Sequence, residues 1–389
     1  MISTLWPYFA LLAPGFGVAV GVAWLLVHTE DWHLHLTGDH PASGPQKLHT
    51  EATARIGGLA VMAGLVAGLY WLHFSADPAL RRQLDALNIA GLMAAFLPLF
   101  LLGLAEDIFR TVSIRLRFGV SLVAGVLAYG LAGVRIEALG LPVIDPFLLS
   151  LPLPLYVLAL PVTVVAVAGL VHAMNIVDGL NGLLAGISLV VLGALAAVSA
   201  RFGETALMLL ALATMAATTG FALFNFPRAR LFCGDAGAYL LGYMISTITI
   251  LLVLHQPAIS PWFALAVIIH PVTETLYSAW RRHRLGLSPT DPDARHMHSL
   301  WAARLRQRSE ETGQAVWLGT NAGASVRTLA VASVPTLLAA SVPTHAIALQ
   351  LICVAYVVAF IKIEGLLAQP TGTACPADAA ACAADDTRS

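Results

Sequence analysis

Charge is what this 389-residue sequence has least of. Only 11% of its residues are Asp, Glu, Lys or Arg, where a soluble domain carries roughly 25%. That scarcity excludes an ordinary soluble fold. The short alternating segments of a membrane β-barrel are also missing. No Lys or Arg precedes the first apolar run, MISTLWPYFALLAPGFGVAV. It lacks the basic start of a cleaved signal peptide and reads as a first membrane helix. The four cysteines, Cys233, Cys353, Cys375 and Cys382, are scattered, with neither metal-ligand spacing nor a disulfide framework. There is no HExxH helix and no GxxxxGK(S/T) loop, which removes the zinc-protease and P-loop readings.

What the chain has instead is apolar length, with 58% of its residues hydrophobic. Runs long enough to cross a bilayer as helices cover about 5–28, 56–74, 87–104, 118–134, 153–173, 183–199, 205–224, 239–254, 261–279, 327–340 and 345–362. The fold class is therefore an all-α polytopic membrane protein of about 11 transmembrane helices, or 10 if the short stretch 327–340 does not cross. No soluble domain interrupts it, so residues 1–365 read as a single integral-membrane domain. The longest polar segment, 280–326, ends in an expected amphipathic surface helix. Residues 366–389, rich in Ala, Pro, Thr and Asp, read as a disordered tail. The partner this composition demands is the lipid bilayer, not nucleic acid.

Alternate loops divide the basic residues unevenly. Seventeen of the 21 Lys and Arg fall on one side, and only Arg81, Arg82, Arg135 and Arg201 on the other. The positive-inside rule then places the N-terminus outside and the basic side in the cytoplasm. Five polar clusters share that basic side: PQKLHTEATARIGG, GLAEDIFRTVSIRLRF, NIVDGLNG, FNFPRARLFCGDAGAY and DARHMHSL. One site built from several cytoplasmic loops is the economical reading.

Each cluster has a bland reading beside the chemical one. Glu106 and Asp107 are adjacent carboxylates with Arg110 on the next turn. They are either a salt-bridged helix end or an acidic pair needing a cation. Asn175, Asp178 and Asn181 recur at i, i+3 and i+6. They suit Mg²⁺, which takes few protein oxygens and keeps water and phosphate, or they cap a helix. Asp235 just before a span is costly unless it binds something. Arg228 and Arg230 read as ordinary positive-inside charges. Lys47, His49 and Arg55 beside Gly57–Gly58 either hold phosphate or anchor the chain at the interface. His296 and His298 share a face only in extended chain, and such a pair binds metal or phosphate or moves protons. Carboxylates and amides for a hard cation, with basic groups for phosphate, together describe phosphoryl transfer at a membrane face.

In this order, KLHTEATARIGG, GLAED, NIVDGLNGLLAG, LFCGDAGAYLLGY and HMH resemble the polyprenyl-phosphate N-acetylhexosamine-1-phosphate transferases over about residues 45–300. That family includes the enzymes that start common-antigen, lipopolysaccharide O-antigen and teichoic acid synthesis, and the phospho-MurNAc-pentapeptide transferase of cell-wall peptidoglycan. The resemblance implies a Mg²⁺-dependent enzyme, with Mn²⁺ as a substitute, in the bacterial inner (plasma) membrane. A UDP-HexNAc would give its sugar-1-phosphate to undecaprenyl phosphate, releasing UMP, as the first membrane step of a surface polysaccharide pathway. It implies Asp235 as principal metal ligand with Asn175 assisting, and Asp107, Glu106 and Asp178 as catalytic acids. It implies Lys47, Asn181, Asn225, His296 and His298 as substrate-binding residues.

The chain departs from the family pattern at three positions. Glu106 stands where Asp is usual, Asn181 replaces a second acid, and Ser299 follows the histidines in place of a further His. The ATARIGG stretch with Arg55 favours a UDP-HexNAc donor, GlcNAc first, over UDP-MurNAc-pentapeptide. The pentapeptide reaction and a secondary transporter with broken helices stay open as alternatives. A homodimer stays open too, since no stretch specifies one.

Overall fold

The computed structural model describes residues 2–39, 52–150, 155–288, 293 and 295–369. The described chain is helical apart from loops and one two-residue strand pair. In order it forms α1 (Ile2–His28), α2 (Glu30–Thr37), β1 (Gly38–Asp39), β2 (Thr53–Ala54), α3 (Gly58–Ser75), α4 (Pro78–Ala86), α5 (Ile89–Phe109) and α6 (Ile114–Ala132). There follow α7 (Ile144–Ser150), α8 (Leu155–Val177), α9 (Leu183–Arg201), α10 (Thr205–Asn225), α11 (Gly234–His255) and α12 (Pro261–Val267). The last four are α13 (Ile269–Arg284), α14 (Met297–Thr312), α15 (Thr320–Ser341) and α16 (Ala346–Ala368). Lys47, His49 and the tail cysteines lie outside the described residues.

The axis of the bundle is α11. Every residue from Gly234 to Leu252 is buried, with α3, α5, α8, α9 and α10 packed around it. A helix apolar on all sides belongs in the centre of such a bundle. Its Ser246, Thr247 and Thr249 hydroxyls donate to carbonyls one turn back, so they bring no unpaired polar group into the core. Two glycines let neighbours reach its first turn. A Cβ on Gly103 of α5 would stand 2.7 Å from the Ala236 Cα, and one on Gly58 of α3 would collide with the Gly237 backbone. Close approach through small residues is how membrane helices pack tightly.

Among the described residues, nine helices are long and apolar enough to cross a membrane, and ten if the bent pair α1–α2 counts as one. The expectation of 11 apolar spans is corrected at one place. Stretch 261–279 is not a continuous apolar helix but α12 and α13, broken at Ile268. Pro271, Glu274 and Arg281 make α13 too polar to stand alone in lipid. The broken pair still runs the length of the bundle beside α16. The Ser260 amide donates to the Pro343 carbonyl at 3.0 Å at one end. His270 pairs with the Tyr356 hydroxyl at 2.6 Å midway, and Arg281 reaches Glu364 at 2.9 Å at the other end. The stretch flagged as short, 327–340, belongs to the 22-residue α15, which does qualify.

A short extended segment stitches one end of the bundle together. Gly38 pairs with Ala54 and Asp39 with Thr53, antiparallel. The same strand continues onto the loop before α11. The Phe232 amide donates to the Ala54 carbonyl at 2.8 Å, and the Gly57 and Gly58 amides donate to the Phe232 and Cys233 carbonyls at 2.9 and 2.8 Å. Arg55 and Asp235 are thereby delivered to the same place. At that end α2 turns 86° away from α1, and its Trp32 is 82% exposed.

Candidate active site

Asp235 sits in the first turn of α11, 4% exposed. Four donors converge on its carboxylate. Arg117 Nη1 of α6 lies 2.8 Å from Oδ2, and the Tyr239 hydroxyl donates to the same oxygen at 3.1 Å. Asn175 Nδ2 of α8 donates to Oδ1 at 3.1 Å, and Arg55 Nη2 at 3.3 Å. Arg55 also stands 3.9 Å from Asp107, and Arg117 stands 3.8 Å from Glu106. Three carboxylates and two guanidiniums, from α5, α6, α11 and the segment before α3, thus interlock. Ions taken out of water need such partners.

Asp107 is fully buried at the end of α5, and both of its oxygens are engaged. Oδ1 accepts from the Asp235 amide at 2.7 Å, and Oδ2 from the Ala236 amide at 3.0 Å. These are among the amides at the start of α11, which has no partners of its own for them. Asp107 therefore caps that helix from another helix and fixes where Asp235 points. Gly234, at φ +73°, makes the turn possible. Its backbone lies in the left-handed region, and a Cβ there would collide with the Arg55 carbonyl and crowd the Asp107 carboxylate. Glu106 spends Oε2 on the Val112 amide at 2.9 Å and turns Oε1 toward Arg117.

The turn after α8 holds Asp178, Gly179 and Asn181. Burial pushes the Asp178 carboxyl up, Arg55 pulls it back and Asp235 adds to the rise, leaving it at about 7. An acid poised there holds or gives up its proton near neutrality. Asn181 and Asn225 are occupied with the backbone. Asn181 Nδ2 donates to the Pro227 carbonyl at 3.0 Å. Asn225, 5% exposed, accepts from the Gly182 amide at 2.6 Å and donates to the Leu231 carbonyl at 2.8 Å. Both amides tie this turn to the loop before α11.

The histidine pair lies at the start of α14, and its His298 reaches the same turn. The His296 and His298 rings stack, with centroids 5.4 Å apart and 9° between planes. His298 rests directly on Gly179, where any Cβ would overlap its Nε2. Gly179→Ala is therefore expected to cost about 1–3 kcal/mol of stability. An unchanged melting temperature would deny the contact its importance. Burial pushes His298 down to about 4, so it is neutral in the folded protein. A depressed histidine supplies stability that is complete above its unfolded value near 6.5 and is lost as pH falls toward 4. Wild type should thus lose more thermal stability than His298→Gln over that window, and parallel melting curves would contradict this.

Two residues central to the site carried little signal in the sequence. Arg117 reads as one more positive-inside charge, and Tyr239 as an ordinary span residue. Only their proximity to Asp235 distinguishes them. Arg55, by contrast, stood out beside the Gly57–Gly58 pair.

The architecture defines a class, a multi-pass membrane protein with its polar site at one end of the helices. The particular family follows from sequence comparison. The model of glycosyl transferase family 4 matches residues 89–253. An undecaprenyl-phosphate alpha-N-acetylglucosaminyl 1-phosphate transferase of Yersinia pestis is 32% identical over 262 residues, 66% of this chain and 67% of the relative. A decaprenyl-phosphate N-acetylglucosaminephosphotransferase of Mycolicibacterium smegmatis is 29% identical over 320 residues, 72% of this chain and 73% of the relative. The undecaprenyl-phosphate alpha-N-acetylglucosaminyl 1-phosphate transferase of Escherichia coli K12 is 34% identical over 176 residues, 43% of this chain and 46% of the relative. The chain belongs to this family of membrane transferases.

Proposed function

We propose that the protein transfers GlcNAc-1-phosphate from UDP-GlcNAc to undecaprenyl phosphate at the cytoplasmic face of the bacterial plasma membrane. The observation that carries the reading is the interlocked set of Asp235, Asp107, Glu106, Arg55 and Arg117. It can meet a polyanionic substrate with cations while holding carboxylates in place. The relatives' activities point the same way, and the concentration of basic residues on the site's side supports a cytoplasmic location.

An oxygen of the lipid phosphate forms a bond to the phosphorus that carries the sugar. The bond from that phosphorus to the bridging oxygen breaks, and the electron pair leaves with UMP. Any proton still on the lipid phosphate, whose second pKa is about 6, passes to Asp178. Arg55 and Arg117 neutralise phosphate oxygens as charge builds on the departing UMP. Asp107 keeps α11, and so Asp235, in register.

Mg²⁺ fits the donor chemistry. Among the described residues no three His, Cys, Asp or Glu are disposed to cage a metal, and Mg²⁺ characteristically uses one or two carboxylates and completes its shell with water and phosphate. Asp235 would hold it, with Asn175 beside it, and the ion would supply charge to the diphosphate. Asn175 here presents its nitrogen to Asp235, so in this structure it serves the carboxylate as a hydrogen-bond donor.

The deciding experiment incubates purified protein with undecaprenyl phosphate, Mg²⁺ and a panel of UDP-amino sugars, UDP-MurNAc-pentapeptide included. UMP release and a lipid product carrying GlcNAc-1-phosphate are expected. A pentapeptide product would reassign the donor. Counterflow in proteoliposomes without UMP release would replace enzyme by transporter.

A further inference from the structure

Besides the acids on α5 and α11 and in the turn after α8, the molecule buries a carboxylate that the transfer reaction leaves unused. Glu274 stands in α13, 3% exposed. Its Oε1 is 2.9 Å from His296 Nδ1 and accepts from the Met297 amide at 3.1 Å. Its Oε2 is buried with no hydrogen-bond partner. A carboxylate can only accept here, so Nδ1 must carry the hydrogen. The tautomer of His296 is thereby fixed, and Nε2 is the ring atom left for another group. The carboxylate also orients the ring, as acids behind functional histidines do.

Other polar groups surround the pair without taking over this role. His270 lies one turn back on α13 and is committed to Tyr356 of α16. Asp293 is committed to Arg281 and Ser278. His298, stacked on His296, is held neutral by burial. Of the two stacked rings, His296 is the one held by a carboxylate, and His298 rests on Gly179 in the turn that carries Asp178.

We propose that Glu274 is a positioning residue of the transfer site, presenting His296 Nε2 to a phosphate oxygen of the sugar nucleotide. With phosphate bound, the imidazole carries a hydrogen on each nitrogen. One is donated to Glu274 and one to the phosphate, so a cation lies between two anions. The proposal rests on the transferase reading for the identity of the phosphate donor.

UMP binding to the full-length protein tests it without requiring turnover. Glu274→Gln keeps the side chain's size and an acceptor for the Met297 amide. It should weaken UMP binding by about tenfold or more. Histidine ¹⁵N spectra should show UMP protonating both nitrogens of His296 in wild type but not in Glu274→Gln. In a His296→Gln background the Glu274 substitution should have little further effect on affinity. Equal UMP affinity in wild type and Glu274→Gln would overturn the proposal. So would an equal loss in both backgrounds, which would mark Glu274 as merely structural. UMP binding that depends on the pair, in a protein lacking transferase activity, would uphold the dyad while refuting the proposed reaction.

Discussion

Asp235→Asn is expected to lower UMP release by about a thousandfold or more while leaving the protein folded. The size follows from what the carboxylate does. It is the anion on which Arg55, Arg117, Asn175 and Tyr239 converge, and the proposed holder of Mg²⁺. Single preorganised electrostatic contacts in active sites are worth about 10²–10³ in rate, and this group organises several. An Asn there offers one carbonyl oxygen and turns an amide donor toward a cation. Folding survives because Arg55 and Arg117 are partly exposed, with side chains 28% and 21% accessible, and can turn to water or to Glu106. Monodisperse protein with near-normal melting and no UMP release is the expected result. Activity retained across a Mg²⁺ titration would sink the assignment.

Asp107→Ala should fail differently, losing stability and activity together. It removes the acceptor for two buried amides at the start of α11. Each unsatisfied amide costs about 1–3 kcal/mol, so a loss of roughly 2–6 kcal/mol is expected. Activity should fall by about a hundredfold or more, because a shift near 1 Å in a catalytic group costs that much. Thermal unfolding separates this from a direct chemical role. If Asp107→Ala melts like wild type while turnover vanishes, Asp107 acts on the substrate and not through α11.

The helical membrane class was legible because nothing but long apolar helices accommodates such runs. The acids and amides of the site were legible for the converse reason, since polar residues at the ends of apolar spans stand out. What each of them does was not. Asp107 and Asp235 look alike in sequence, yet one spends both oxygens on backbone amides and the other gathers cations. Asn181 and Asn225 read as substrate contacts, and the structure places both on backbone groups of neighbouring loops. Hydrogen bonds between residues far apart in the chain leave no local pattern to read. Glu274 was hidden because it falls inside a stretch counted as a span. An acid within such a stretch, with Pro271 close by, signals a broken helix answered from elsewhere. Lys47 lies outside the described residues.

The clamp between α5 and α11 has a consequence for how the molecule is made. Asp107 precedes the amides it caps by 128 and 129 residues, and the two Asp235-binding arginines also come from the first third of the chain. As synthesis proceeds N-terminus first, α5 and α6 enter the membrane long before Asp235 exists. Until α11 arrives, an acid destined for complete burial has no capping partner, and neither arginine has its principal anion. The early helices can pack on one another and pair Arg55 with Asp107 and Arg117 with Glu106, but the site itself is complete only when the central helix brings Asp235 and its amides.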